Sequence, residues 1–166
     1  THITDEDLAE LSNYPSIRSL DLRYSSISRK GLEILTEILP ELETLNITDT
    51  PLSGDDFLPL ARLKSLKQLE VSQSDLNDDA MAILGPLRCI KEWRLDNNRK
   101  ITDRGVAALA GNPEIEIIGL LDTNITDEGM LAMFSAPMPK LSVLIPSKYS
   151  TDKSLEAIGK LDVLDS

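Results

Sequence analysis

Two hydrophobic periods alternate along this chain. The first reads apolar-x-x-apolar-x-apolar and recurs as Ile17-Leu20-Leu22, Leu42-Leu45-Ile47, Leu66-Leu69-Val71, Ile90-Trp93-Leu95, Ile115-Ile118-Leu120 and Leu141-Leu144-Pro146. Alternation such as Leu20-Asp21-Leu22 has period two, which predicts short strands with one buried face. The second period is helical. Leu8 pairs with Leu11, Leu32 with Leu35, Phe57 with Leu60, Met81 with Leu84, Val106 with Leu109, Met130 with Met133 and Leu155 with Ile158. These spacings put each pair on one face of a helix.

The helical stretches share a six-residue opening, in its cleanest form apolar-Thr-Asp-x-Gly-apolar. Seven copies begin at Ile3, Ile27, Leu52, Leu76, Ile101, Ile125 and Ser150, so successive starts lie 24, 25, 24, 25, 24 and 25 residues apart. A fixed period of this size marks stacked supersecondary units. Thr4, Ser28, Ser53, Asn77, Thr102 and Thr126 fall where a helix N-cap is needed. The acids behind them, Asp5, Asp55, Asp78, Asp103 and Asp127, suit the positive end of a helix dipole. Prolines at 15, 40, 113, 137 and 139 stop the helices. Each unit therefore reads strand, turn, helix, return loop.

Strands joined through helices are parallel, and their crossovers are right-handed. Because the strands alternate, helices cover only one face and the other stays open. The run Leu42-x-x-Leu45-x-Ile47-x-x-Thr50-x-Leu52 and its counterparts resemble the leucine-rich repeat consensus. Ile101–Val106 and Ile125–Met130 resemble its helix-bearing type, with units near 25 residues, as in F-box-associated and bacterial leucine-rich repeat proteins. The resemblance implies an α/β fold: a right-handed βα solenoid with a parallel concave sheet and outer helices. Residues 1–166 then form one domain of six to seven repeats, part of a longer protein. Two departures stand out. The ladder position, Asn or Cys in related families, keeps Asn98 but is otherwise Ser25, Thr50, Ser74 and Thr123, whose hydroxyls are expected to bond the neighbouring turn. Pro146 takes an inward strand position, where the sheet is expected to end or fray.

Composition narrows the function. With 17 Lys and Arg against 28 Asp and Glu, the net charge of −11 disfavours nucleic acid and anionic membranes as partners. No apolar run reaches the roughly 20 residues of a membrane helix. The single cysteine, Cys89, fits a reducing compartment, the cytoplasm among them, without fixing it. Cys89 and the single histidine, His2, lie several units apart, so no nucleophile–base dyad is expected. The acidic pairs lack calcium-loop spacing, and Gly31, Gly105 and Gly129 form no phosphate loop; helix packing explains them better. Trp93 beside the small residues 106–110 reads as volume compensation in the core, with stacking on a ligand as the alternative. No catalytic residue, metal or cofactor is expected.

The open face is where partner chemistry is expected. Its first four strands present polar residues: Ser19, Asp21 and Arg23; Thr44, Asn46 and Thr48; Gln68, Glu70 and Ser72; Glu92, Arg94 and Asp96. The last two present Ile117, Gly119, Leu121, Val143 and Ile145. A one-residue slip cannot hide these, because it would expose Ile118 and Leu120 instead. The expectation is an apolar interface flanked by Glu92, Arg94 and Asp122, suited to a protein partner or to self-association. A competing expectation is a cap over the patch, made by the tail from Leu161 to Leu164 or by a following domain. Two further functional readings are a substrate-recruiting arm of an enzyme of ubiquitin-ligase or bacterial effector type, its catalytic domain elsewhere, and a structural spacer.

Overall fold

The structure, a computed structural model, describes residues 3–159. Six three-residue strands form one sheet in chain order: β1 (Ser19–Asp21), β2 (Thr44–Asn46), β3 (Gln68–Glu70), β4 (Glu92–Arg94), β5 (Ile117–Gly119) and β6 (Val143–Ile145). Every pairing is parallel, and the repeat period sets the register. Leu20 stands beside Leu45, Leu45 beside Leu69, Leu69 beside Trp93, Trp93 beside Ile118, and Ile118 beside Leu144. From Leu45 to Ile118 this inward column is buried.

The ladder runs one residue past each strand. The amides of Leu22, Ile47, Val71, Leu95 and Leu120 donate to Asn46, Glu70, Arg94, Gly119 and Ile145 of the following unit at 2.8–3.0 Å. The equivalent residue after β6 is Pro146, which has no N–H. The strand that would pair with the far side of β6 falls one period later, outside the described residues. β6 itself still pairs, since Val143 N–H reaches Glu116 O at 3.1 Å. The turn beyond it is shortened, and Ser147 takes the buried ladder place, donating to Thr123 O at 3.0 Å.

The helical layer follows chain order: α1 (Asp5–Ala9), α2 (Arg29–Ile38), α3 (Asp78–Leu84), α4 (Asp103–Val106), α5 (Asp127–Met133) and α6 (Asp152–Gly159). The expectation of one α-helix per unit needs correction. The third unit is 3₁₀ throughout, from Gly54 to Arg62, because Pro59 sits inside it with no amide to donate. α1 and α4 also tighten into 3₁₀ turns, Glu10–Asn13 and Ala107–Leu109. Most of the paired apolar positions are buried as expected; Leu155, at the end of the stack, is 41% exposed. Trp93 is fully buried, so the ligand-stacking alternative falls, and its Nε1 has no hydrogen-bond partner.

The cap residues stand where the sequence puts them, but the acids do more than face a dipole. Among the described residues, four carboxylates at first helical positions reach the cap of the next unit. Asp5 accepts from Ser28 N and Oγ at 2.8 and 2.6 Å, and Asp78 accepts from Thr102 N and Oγ1 at 2.8 and 2.6 Å. Asp103 does the same with Thr126, and Asp127 with Thr151, all at 2.7 Å. The glycines make room for this. A Cβ on Gly31, Gly105 or Gly129 would overlap the Oδ1 of Asp5, Asp78 or Asp103, and on Gly129 it would also come within 2.8 Å of Asp103 Cα. Where the acid is missing the glycine is too: Arg29 is followed one repeat later by Asp56, and Gly54 by Ala80.

The ladder hydroxyls also depart from expectation. Thr50 and Thr123 donate to carbonyls of their own turns, Ile47 O at 2.9 Å and Leu120 O at 2.7 Å. Ser147, by contrast, turns its hydroxyl across the repeat to Thr123 O, as expected of this position. Asn98 also spans the gap, donating to Val71 O at 2.6 Å and Leu95 O at 2.9 Å and accepting from Leu76 N. Ser25 Oγ is buried without a partner.

Candidate functional site

The open face divides across the sheet. On β1 to β3 the polar side chains satisfy one another. Arg23 donates to Asp21 from Nε and Nη2 at 3.0 and 2.7 Å, Thr44 Oγ1 donates to Gln68 Oε1 at 3.0 Å, and Asn46 donates to Glu70. The Arg23 guanidinium holds the Asp21 carboxyl below its ordinary value, and Asp21 raises Arg23 in turn. Both are half exposed, so the pair contributes little stability.

On β5 and β6 the face is aliphatic. Ile117 stands beside Val143, and Gly119 beside Ile145. Val143 is 42% exposed and Leu121 46%, while Ile117 and Ile145 are half-buried. Their neighbours Ile118 and Leu120 are buried, so the register is the expected one. Gly119, however, adds no open surface. It is buried beneath Asp96, whose carboxylate turns inward to accept from Leu121 N at 2.7 Å. A Cβ on Gly119 would stand 2.9 Å from Asp96 Oδ2. The apolar patch is thus Ile117, Leu121, Val143 and Ile145, with the Asp96 carboxylate lying over the bare Gly119 between them.

Its border is charged. Asp122 pairs with Lys148 at 2.8 Å, which lowers the Asp122 carboxyl and raises the Lys148 amine, and Lys148 lies 5.2 Å from the centroid of the Tyr149 ring. Glu92 and Arg94, on β4 beside Ile117 and Gly119, belong to no ion pair among the described residues. Asp96 and Lys148 escape a reading by strand position. Asp96 counts there as one more polar residue, and Lys148 follows a shortened turn that breaks the spacing.

Other features are weaker. A polar depression of about 350 Å³ lies along the loop rim, lined by Thr50, Gln73, Asp75, Asn97 and Arg99 among others. It is shallow and framed by turns whose residues Asp49, Gln73 and Asn97 are left-handed. Cys89 is half-buried in its return loop, and burial pushes its thiol above the usual value, away from a reactive thiolate. His2 and the tail from Leu161 to Leu164 lie outside the described residues. Among the described residues no three His, Cys, Asp or Glu side chains gather to hold a metal, and no helix is long and apolar enough to cross a membrane.

Comparison with known proteins agrees with this geometry. A family model described as "Leucine Rich repeat" matches residues 87–110, while no curated protein sequence matches. Among solved structures, internalin C2 of Listeria monocytogenes is 26% identical with a TM-score of 0.64, over 83% of this chain and 55% of its own. A second Listeria monocytogenes internalin, inlF, is 18% identical with a TM-score of 0.59, over 96% of this chain and 51% of its own. The Arabidopsis receptor kinase HAESA, solved with a peptide hormone and a co-receptor, shares the fold at 14% identity and a TM-score of 0.54, over 84% of this chain and 27% of its own. The chain spans about half the length of the internalins it matches. Six parallel strands at a period of 24 to 25 residues, an outer helical layer and these matches together show that the chain has the fold of a leucine-rich repeat solenoid.

Proposed function

We propose that the chain is a protein-interaction module that binds a protein partner through the β4–β6 end of its concave sheet. One observation carries the reading. Four aliphatic side chains share an open face on which the four preceding strands carry only polar residues. Contiguous exposed apolar surface on a folded protein marks a docking site more often than not. A neighbour of the same fold, the receptor kinase, was solved with a peptide hormone and a co-receptor, which supports a protein ligand. A carbohydrate site would want aromatic platforms, and only Tyr24 and Tyr149 lie near this face. A second copy fits less well, since each copy brings a net charge of −11.

The border residues Glu92, Arg94 and Asp122 serve selectivity, because charged rims tune partner choice and association rate more than affinity. The test is charge placement within the patch. Ile145→Glu and Ile117→Glu lose a partner that both the unaltered protein and the convex control Ile83→Glu retain, with thermal melting unchanged. Loss of folding in the two patch variants, with Ile83→Glu intact, would instead show that this face is a covered part of the core.

A further inference from the structure

The patch has an unusual centre. Most apolar docking surfaces exclude charge from their middle, yet here the Asp96 carboxylate lies over Gly119, which stands on β5 between Ile117 and Leu121 and beside Ile145 on β6. It is held there by construction. The Leu121 amide fixes Asp96 Oδ1 at 2.7 Å, and the missing side chain of Gly119 leaves room for Oδ2. Among the described residues Oδ2 accepts no hydrogen bond and Asp96 joins no ion pair, although Arg94 flanks Gly119 on the same face. Glu92, in register with Ile117, is likewise unneutralised.

Resting on the reading that this face docks a protein, we propose that the patch receives a lysine or arginine side chain of the partner. The aliphatic stem lies on Ile117, Val143 and Ile145, and the cationic head meets Asp96 Oδ2, with Glu92 at its side. Basic side chains suit such a surface because their methylene stems cover apolar groups while the head keeps a polar contact. Charge complementarity selects them over a neutral aliphatic anchor. Both open carboxylates are negative, the whole chain is acidic, and attraction strengthens as the stem displaces water. An acidic partner segment would meet Asp96 and Glu92 as like charges.

The experiment uses three short peptides with blocked ends, identical except for a central arginine, norleucine or glutamate, titrated into the ¹⁵N-labelled protein. Expected is perturbation of the Gly119 and Leu121 amides, with the arginine peptide binding about five-fold more tightly than the norleucine one. The glutamate peptide binds least, and the preference shrinks as ionic strength rises. Asp96→Asn removes the arginine preference, whereas Arg94→Gln, which relieves a competing cation, enlarges it. Should Asp96→Asn fold poorly, Glu92→Gln and the salt series on the unaltered protein carry the same test. Equal binding of arginine and norleucine at the patch overturns the cationic anchor and leaves the docking surface standing. No perturbation of the patch by any peptide up to about 10 mM overturns both.

Discussion

The junctions between repeats are of two kinds. At four of them, beginning with Asp5, Asp78, Asp103 and Asp127, a carboxylate on one helix start clasps the cap of the next unit through two hydrogen bonds. At the two on either side of the 3₁₀ unit Gly54–Arg62, Arg29 and Gly54 occupy the place of the acid, and no such clasp forms. Glycine follows the acid in three of the four clasped junctions and is replaced by Ser154 in the fourth; it is absent from both unclasped ones. The glycine therefore marks a steric requirement set by a residue one repeat upstream, and the Thr-Asp-x-Gly motif reads across units as much as within one. In the middle of the solenoid, helix packing and the strand ladder hold the stack without it.

The largest effect should follow from filling a clasped junction. Gly129→Ala places a methyl against both the carboxylate and the backbone of Asp103, and overpacking plus two strained hydrogen bonds should cost about 3 kcal/mol in urea unfolding. Asp56→Ala, at the equivalent place in an unclasped junction, should cost no more than the loss of a cap contact, about 1 kcal/mol. At Gly105 the backbone of Asp78 stands slightly farther away, 3.1 Å from the added carbon. There a double-mutant cycle is informative. Asp78→Ala with Gly105→Ala should lose less than the sum of the single changes, because deleting the carboxylate removes most of the clash.

A smaller effect comes from grafting. Arg29→Asp together with Asp56→Gly writes the clasp into the second junction, and stability should rise by about 0.5–1 kcal/mol, while either change alone lowers it or leaves it level. A graft that destabilises as much as Gly129→Ala would show that the pairing of acid and glycine does not transfer between units.

The smallest effect is confined to acid. Bonds from Thr151 N–H, the Thr151 hydroxyl and Ser154 lower the Asp127 carboxyl from 3.8 to about 2. A carboxyl lowered on folding stabilises the native state fully above its unfolded value, near pH 4, and that stabilisation is lost as pH falls through about 2. Carbon-detected NMR titration should find the Asp127 midpoint near 2, and Thr151→Val should raise it, although the backbone donor remains. A midpoint at the ordinary carboxylate value would remove the last clasp.

Strand order, register and every N-cap from Thr4 to Thr126 could be read in advance, because each is encoded by residues within one period. The apolar character of Ile117, Leu121, Val143 and Ile145 was equally plain, since alternation fixes which side each faces. The clasp was not, because Asp103 and Gly129 meet only after two units stack. Pro59 could equally have stopped or kinked an α-helix, so the 3₁₀ outcome is not written in that residue alone. Asp96 looks like one more polar strand residue until the bare backbone of Gly119 shows where its carboxylate can turn. Ser147 hides behind the shortened turn after Pro146, where the count to the ladder position changes.

Pro146 has a consequence for any strand that would pair with the far side of β6. A bare parallel edge is a template on which another chain can extend the sheet, and such growth leads to fibrils. Here the amide that would register the next strand has been replaced by a pyrrolidine ring. A strand laid beside β6 therefore lacks the bond that the Leu120 amide makes to Ile145 one unit earlier, and its pairing rests on the remaining backbone groups of β6 and on helix contacts.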